Sequence, residues 1–193
     1  ADATAISLAA SVLRRLGLSD VRLHLNSIGC KKCRPDYRAA LVKHFTAHES
    51  ELCDTCRERL VKNPLRLLDC KNPACHAIAA CAPRTVDYLC DECREKFEGL
   101  KSCLDAMGIA YTVDSSIVRG LDYYTNTVFE FIAEGIGAQS TVCGGGRYDG
   151  LVASLGGPDL PGIGFGMGLT RVILAMKEKG LADISAPAPK VYI

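Results

Sequence analysis

The sequence lacks an excess of charge of either sign. Among its 193 residues, 23 Lys and Arg stand against 22 Asp and Glu, which gives a formal net charge of +1. A chain with this balance does not hold nucleic acid by bulk attraction to phosphates, although a local basic face is compatible with it. Hydrophobic residues make up 48% of the chain and charged residues 23%, so the composition is that of a folded globular protein and excludes a disordered one.

Long apolar runs are also missing. No run approaches the roughly 20 residues that a membrane-spanning helix needs. The first residues, 1–4, lack the basic and apolar regions of a signal peptide. The sequence therefore predicts a soluble, cytoplasmic protein with no membrane contact.

Cysteine, by contrast, is abundant, with 11 residues. The number is odd, so the cysteines cannot all pair with one another, and a chain of this length buries a core without disulfides. Three CxxC pairs and one looser pair stand out, namely Cys30/Cys33, Cys53/Cys56, Cys90/Cys93 and Cys70/Cys75. Two thiolates separated by two residues can bind the same tetrahedral ion, so each CxxC pair is half of a zinc site.

Four half-sites are enough for two structural Zn²⁺ centres. Cys53/Cys56 and Cys70/Cys75 are adjacent along the chain, so we expect them to share one ion. The two pairs that remain, Cys30/Cys33 and Cys90/Cys93, would then share the other. The alternative is that these are reduced, partly buried cysteines of a cytosolic protein, because free cysteine packs well.

The pattern of apolar residues predicts an α+β protein. It predicts a helix over 4–16 and a strand over 21–26, followed in the cysteine-rich stretch by short helices at 34–48, 52–62, 73–80 and 91–107. Beyond Gly108 it predicts strands at 111–114, 127–132 and 140–143, then a glycine-rich strand over 162–168 that leads directly into a helix at 167–179. A helical, cysteine-rich module is therefore expected inside an antiparallel α+β frame.

Three stretches in the second half carry a candidate ligand site. The first, over 117–125, places one arginine, Arg119, among apolar residues ahead of a glycine turn and two tyrosines. Burying such an arginine is costly unless it meets an anion, so the stretch predicts a site for phosphate or carboxylate. A salt-bridged core arginine beside packing aromatic rings is the alternative.

The other two stretches are rich in glycine. The run 144–146 lets a backbone approach a ligand closely, or forms a tight hairpin with no ligand. In 161–171, glycines at alternate positions clear one face of a strand for a flat ring, and Arg171 lies in the first turn of the helix that follows. A helix start with an arginine is a good place for a polyphosphate.

Taken in order, these stretches resemble the histidyl-tRNA synthetases of the bacterial type. RGLDYYT at 119–125 and GGRYDGL at 145–151 are similar to the histidine-specific signatures of that family, and GFGMGLTR at 164–171 to its class II motif 3. NSIG at 26–29 and NPLRLLD at 63–69 also resemble the family. The resemblance implies part of the class II antiparallel sheet with flanking helices, plus an inserted, mostly helical, cysteine-rich domain.

The resemblance also implies a histidine site. Arg119 would neutralise the α-phosphate of ATP as the carboxylate of histidine attacks, because charge builds up there in the transition state. A hydroxyl partner such as Tyr148 near the imidazole would separate histidine from apolar side chains of similar size. The residues implied for this site are Arg119, Tyr123, Tyr124, Gly145, Gly146 and Tyr148.

For ATP, the resemblance implies that Arg171 holds the γ-phosphate. The glycines Gly164, Gly166 and Gly168 would lie under the adenine, and Mg²⁺ would accompany ATP, held mostly by phosphates and water. Members of the family join L-histidine to tRNA(His) with ATP, and they are homodimers. The domain limits implied are a catalytic core over 1–28 and 111–185, a helical insertion over 29–110, and at 186–193 a linker and the start of an anticodon-binding domain.

No stretch resembles class II motif 1 or motif 2. We therefore expect the insertion domain and the C-terminal half of the catalytic domain, a segment that is inactive by itself. In the family the insertion leans toward the tRNA acceptor stem, and nine Lys and Arg against five Asp and Glu over 29–66 fit contact with phosphates, or equally a solvated surface. The alternatives are the histidine-binding regulatory subunit of ATP phosphoribosyltransferase and a zinc-bearing RNA-binding module.

Overall fold

The structure, a computed structural model, describes residues 1–117, 123–135 and 140–181. Its helices are α1 (Asp2–Arg15), α2 (Arg34–Thr46), α3 (Asp54–Lys62), α4 (Pro73–Ala80), α5 (Asp91–Ala106), α6 (Leu151–Ser154) and α7 (Leu169–Glu178). Its strands are β1 (Arg22–Ser27), β2 (Tyr111–Val113), β3 (Thr125–Ile132), β4 (Thr141–Arg147) and β5 (Ile163–Met167). Short 3-10 helices occur at Glu49–Glu51, Pro64–Leu67 and Thr85–Tyr88.

The predicted helices and strands are found close to their expected places. The largest difference is β4, which continues past its predicted end through the three glycines to Arg147. The predicted linker and strand at 186–193 lie outside the described residues. None of the helices in the described segments is both long enough and apolar enough to cross a bilayer.

The five strands form one mixed sheet in the order β2-β1-β3-β4-β5. β2 runs parallel to β1, and the other three neighbouring pairs are antiparallel. The α+β fold class is confirmed. The central strands are β1, β3 and β4, so the glycines of β4 lie inside the sheet rather than at its edge.

The two faces of the sheet differ in chemistry because side chains alternate along each strand. The register aligns Leu23 with Phe131 and Leu25 with Phe129, and these four side chains are buried on one face. On the opposite face the same register aligns His24 with Glu130 and Asn26 with Val128. One face is therefore a core face, and the other, named here the polar face, carries the ionisable residues His24 and Glu130.

Three helices cover the core face. α1 buries one side of its length against the sheet, with Ile6 and Leu13 almost inaccessible to solvent. α5 and α7 complete the same hydrophobic core, to which they contribute Phe97, Leu100, Leu104, Val172 and Ala175. The polar face is consequently the side on which a ligand can approach.

The cysteine-rich stretch between β1 and α5 builds a second, separate core. Its apolar residues come from α2, α3, α4 and the turn at 64–67, and its most buried members include Tyr37, Leu41, Phe45, Leu52 and Leu67. α5, which closes this stretch, packs instead against α1 and the sheet. The chain thus leaves the sheet after β1, forms a small helical body, and returns to the sheet through α5.

Candidate functional site

Three tyrosines gather at one end of the polar face. Tyr124 precedes β3 and Tyr148 follows β4, and these two strand ends are adjacent because β3 and β4 are antiparallel. The ring centroids of Tyr123 and Tyr124 lie 4.6 Å apart, and those of Tyr123 and Tyr148 lie 6.2 Å apart with the rings nearly perpendicular. The structure therefore brings together all three tyrosines that the sequence assigned to the histidine pocket.

Glycines make room for these rings. A Cβ atom on Gly146 would lie 2.9 Å from Cδ1 of Tyr124, and one on Gly162 would lie 2.2 Å from Cε2 of Tyr148. A Cβ atom on Gly164 would lie 3.0 Å from the hydroxyl oxygen of Tyr148. Tyr124 therefore lies on Gly146 of β4, and Tyr148 lies on Gly162 and on Gly164 of β5, in space that side chains at these positions would fill.

The other glycines named from the sequence have different surroundings. Gly145 faces the core side, where a Cβ atom would lie 2.2 Å from the carbonyl oxygen of Gly164, so its place is set by strand packing. Gly166 faces the polar side and is exposed, and within the described segments no atom lies within 4 Å of an added Cβ. A Cβ on Gly168 would make only ordinary contacts, with the side chain of Arg171. Gly166 thus marks open space above β5.

Polar residues that the sequence analysis did not single out line the same face. Glu130 accepts a hydrogen bond of 2.6 Å from the hydroxyl of Thr141. His24 Nδ1 lies 2.9 Å from a carboxylate oxygen of Asp114, and both side chains are partly buried. The signal for Glu130 was available, because one acid among the apolar residues of a strand indicates a side chain on the opposite face.

Asp114 is held in its ionised form by local hydrogen bonds. Burial opposes the charge, but hydrogen bonds from Ser116 and His24 outweigh it and lower the pKa of the Asp114 carboxyl below its usual value. The pair anchors the segment that leads toward the first signature.

Arg171 lies at the opposite end of β4 from the tyrosines. Its guanidinium donates a hydrogen bond of 2.9 Å to the carbonyl oxygen of Thr141, the first residue of β4. β4 has seven residues, so about 20 Å of strand separates Arg171 from the tyrosines. A ligand that touches both must extend along β4 and β5, over the open position at Gly166.

Arg119 lies outside the described residues, as do 118 and 120–122. The segment that leads to Arg119 is fixed to β1 by a hydrogen bond, because the amide Nδ2 of buried Asn26 donates to the carbonyl oxygen of Ile117 at 3.0 Å. The Oδ1 of Asn26 accepts from the backbone of Ser27 at 2.8 Å, so both ends of its side chain are used.

Arg147, the arginine of the second signature, is engaged by carboxylates on the core side. It donates to Asp2 in α1, with a shortest distance of 2.5 Å, and to Asp149 at 2.9 Å. Burial opposes ionisation of Asp2, but hydrogen bonds from Arg147 and Thr127 lower the pKa of its carboxyl. This arginine therefore ties α1 to the end of β4 rather than facing a ligand.

Eight cysteines form two compact groups, in the pairing that the sequence indicated. We name Cys30, Cys33, Cys90 and Cys93 the root cluster, and Cys53, Cys56, Cys70 and Cys75 the inner cluster. Within each group all four sulfur atoms lie within 4.8 Å of one another. The remaining three cysteines, Cys81, Cys103 and Cys143, belong to neither group.

The sulfur separations match those of a tetrahedral zinc site. With Zn–S bonds of about 2.3 Å, tetrahedral geometry places neighbouring sulfurs about 3.8 Å apart. In the root cluster, Sγ of Cys30 lies 3.6 Å from Sγ of Cys33 and 4.0 Å from Sγ of Cys90. In the inner cluster, the Sγ atoms of Cys53 and Cys70 lie 3.9 Å apart. Both clusters can therefore hold a metal ion of this size.

Backbone amides point at the sulfurs. The amide of Lys32 donates to Sγ of Cys30 at 3.3 Å, and the amide of Cys90 donates to Sγ of Cys33 at 3.2 Å. Burial opposes ionisation of Cys30, but the amides of Cys33 and Lys32 lower the pKa of its thiol to about 6. In the inner cluster the amide of Cys56 is the main cause that lowers the pKa of Cys53 to about 7.

The remaining thiols with shifted pKa values behave in the opposite way. Burial raises the pKa values of Cys33 and Cys93 in the root cluster, and of Cys56 and Cys75 in the inner cluster. Burial thus opposes ionisation of two thiols in each cluster, whereas a bound dication favours the thiolate form of all four.

The mixed sheet, with a helix-covered core face and a glycine-floored polar face, matches the class II synthetase catalytic fold. The family model described as histidyl-tRNA synthetase matches residues 1–172, and the chain belongs to that family. The crystal structure of apo histidyl-tRNA synthetase from S. aureus superposes with a TM-score of 0.72 at 38% identity, covering 95% of this chain and 45% of that one.

Curated relatives agree with this assignment. The histidine–tRNA ligase of Symbiobacterium thermophilum is 54% identical over 192 residues, 100% of this chain and 44% of the relative. That of Caldanaerobacter subterraneus subsp. tengcongensis is 51% identical over 193 residues, 100% of this chain and 46% of the relative. The chain therefore spans less than half the length of the curated relatives it matches.

Proposed function

We propose that this chain forms part of the catalytic domain of a histidine–tRNA ligase. The whole enzyme activates L-histidine with ATP to histidyl-adenylate and then transfers the histidyl group to tRNA(His). The observation that carries the proposal is the group of three tyrosines at one end of the polar face, two of which, Tyr124 and Tyr148, lie on glycines of β4 and β5. Membership of the family supports the same reading.

In the activation step, a carboxylate oxygen of histidine attacks the α-phosphorus of ATP and diphosphate leaves. We propose that Arg119 neutralises the charge that builds up on the α-phosphate, since a fixed guanidinium is most effective where charge develops. Tyr124 and Tyr148 hold the amino acid, and the hydroxyl of Tyr148 selects for the imidazole. Arg171 holds the γ-phosphate at the far end.

The nucleotide lies along β5 in this proposal. Gly166 leaves open space on the polar face between the tyrosines and Arg171, and a flat ring needs such a side-chain-free surface. Among the described residues, the groups arranged to hold a metal consist of cysteine, which Mg²⁺ does not favour. Mg²⁺ would accompany ATP as part of the substrate, held mostly by phosphates and water, and would offset part of the phosphate charge.

We assign tRNA contact to the helical insertion, which we place at 29–110. Its segment 29–66 carries an excess of four positive charges, a modest attraction for the phosphates of an acceptor stem. The remaining core residues, 1–28 and 111–185, belong to the catalytic domain, and 186–193 begin the connection to an anticodon-binding domain. The whole enzyme is a homodimer, and the segment described here is inactive by itself because it is less than half of it.

We also propose that the root cluster and the inner cluster each bind one structural Zn²⁺. The sulfur separations and the amide donors support this, since thiolates in tetrathiolate zinc sites accept such hydrogen bonds. Metal analysis of protein purified without a chelator gives about two zinc ions per chain if the proposal holds. About one zinc ion per chain or fewer contradicts binding by both clusters.

The function is tested in a protein restored to the full length of the relatives. Histidine-dependent exchange of diphosphate into ATP reports the first step, and charging of tRNA(His) reports the second. Arg119→Ala is expected to slow activation by at least about 100-fold with little change in melting temperature. Unchanged activation contradicts the role of Arg119, and histidine binding without any charging supports a regulatory subunit instead.

A further inference from the structure

The two cysteine clusters belong to different parts of the fold. Cys33 and Cys93 of the root cluster are members of the hydrophobic core under the sheet, whereas Cys56, Cys70 and Cys75 of the inner cluster belong to the core of the insertion. The root cluster therefore closes the insertion at the point where the chain leaves β1 and returns through α5. A metal bound there holds the insertion to the sheet.

The loop that carries the root cluster contacts the start of β3 directly. The amide of Asn126 donates to the carbonyl oxygen of Gly29 at 3.0 Å, and the amide of Ile28 donates to the carbonyl oxygen of Asn126 at 2.8 Å. Arg34, which follows Cys33, donates to the carbonyl oxygen of Tyr124. The backbone from Tyr124 to Asn126 is thus hydrogen-bonded by residues that precede Cys30, namely Ile28 and Gly29, and by Arg34, which follows Cys33.

The side chain of Asn126 adds a contact with a metal-binding sulfur. The thiol of Cys93 donates to Oδ1 of Asn126 at 3.1 Å, and Asn126 is buried. With a thiolate at Cys93, the same amide turned about its axis presents Nδ2–H to the sulfur, which is the usual outer contact of a zinc-bound cysteine. Asn126 is therefore placed to orient a ligand of the metal.

Asn126 has an unusual backbone as well. Among the described residues it is the one non-glycine residue with a left-handed conformation, with φ of 50°, and the register of β3 with β4 is irregular here. Such a conformation costs free energy and persists where the surroundings enforce it. Asn126 lies two residues after Tyr124, so its backbone sets the direction of the chain that carries Tyr123 and Tyr124 at the start of β3.

We propose that Zn²⁺ in the root cluster positions the histidine pocket through Asn126 and Tyr124, whereas Zn²⁺ in the inner cluster only stabilises the insertion. This inference rests on the proposed function for its readout with histidine. It makes Asn126 a positioning residue, which touches neither substrate nor metal. It also predicts that the two metal sites, similar in geometry, differ in their effect on amino-acid activation.

The test uses the full-length protein and compares Cys90→Ser in the root cluster with Cys53→Ser in the inner cluster. Both residues are half-buried and each begins a CxxC pair, so the two substitutions are matched, and exposed Cys81→Ser is the control for a cysteine outside both clusters. Zinc content, the visible spectrum after replacement by Co²⁺, and the KM for histidine in diphosphate exchange are measured for each. Tetrathiolate Co²⁺ has a characteristic visible spectrum, which reports the sites without any activity.

We expect each cluster variant to lose about one zinc ion per chain. Cys90→Ser should raise the KM for histidine about tenfold, while Cys53→Ser leaves that KM unchanged and lowers the melting temperature. Equal effects of the two variants on the KM, or loss of the root zinc with an unchanged KM, would overturn the proposal.

Asn126→Ala keeps the inference testable if the cysteine variants do not fold. It should retain about two zinc ions per chain and raise the KM for histidine, whereas full retention of both zinc and KM contradicts its positioning role. Two zinc ions in a protein that activates no histidine would refute the proposed function and still support both metal sites.

Discussion

The hydroxyl oxygen of Tyr148 lies 3.0 Å from the place where Gly164 would carry a Cβ atom. Gly166 is two residues along the same face of β5, and among residues 1–117, 123–135 and 140–181 no atom lies within 4 Å of such a position on it. Two glycines of one strand therefore serve different purposes. Gly164 accommodates a tyrosine of the protein itself, and Gly166 leaves room that, in the proposed function, the adenine of ATP occupies.

This difference predicts opposite results for two matched alanine substitutions in the full-length protein. Gly166→Ala should leave the melting temperature unchanged, because its methyl group meets open space, and should raise the KM for ATP. Gly164→Ala should displace Tyr148 and raise the KM for histidine. If the KM for ATP of Gly166→Ala is unchanged, the proposal that the nucleotide binds over β5 is wrong.

Tyr148→Phe tests the selection of histidine. Loss of one hydroxyl that bonds a neutral ligand group costs about 0.5–1.5 kcal/mol, so the KM for histidine should rise about threefold to tenfold. The KM for ATP should stay the same, because Tyr148 lies at the opposite end of the face from Arg171. If the two KM values rise together, Tyr148 supports the sheet rather than the amino acid.

Arg171→Ala tests the other end of the polar face. Removal of a guanidinium from a phosphate costs about 1.5–3 kcal/mol, so the KM for ATP should rise by at least about tenfold while the KM for histidine changes little. Arg171 also bonds the backbone of Thr141, so the melting temperature is measured alongside. Arg171→Lys, which retains the charge, should recover part of the ATP affinity, and no recovery would point to a purely structural arginine.

The ion pair between Asp2 and Arg147 predicts a loss of stability in acid. The folded-state pKa of Asp2 is lowered, so its contribution is complete above the pKa of an unfolded aspartate, about 3.9, and disappears as the pH falls through the lower folded value. Asp2→Asn should lower the free energy of unfolding by about 1–2 kcal/mol near pH 7 and make it less dependent on pH below about pH 4.

The free energy of unfolding is measured by urea titration near pH 7 and again below about pH 4, for the parent protein and for Asp2→Asn. Asp54→Asn is the control, since Asp54 forms a surface ion pair with Arg57 and its side chain is 96% exposed. An Asp2→Asn protein that loses stability to the same extent in acid as the parent would show that other groups carry the acid sensitivity.

Much of the fold was predictable because local patterns carry it. The helical spacing of apolar residues in α1 and the alternation of apolar and polar residues in β1 predicted the ends of both elements to within two residues. The glycines 144–146 were predicted either to let the backbone approach a ligand or to form a tight hairpin. The strand instead continues through them, because β3 and β5 on either side supply hydrogen bonds and tyrosine rings take the place of side chains.

The sequence by itself determined the order of helices and strands, the four cysteine pairs and the three stretches that identify the family. Only the tertiary structure decided that Gly145 faces the core while Gly146 lies under Tyr124, that Glu130 shares the polar face, and that Asn126 touches Cys93. The reason is physical: alternation along a strand separates two faces, but the register between distant strands decides which residues meet on each of them.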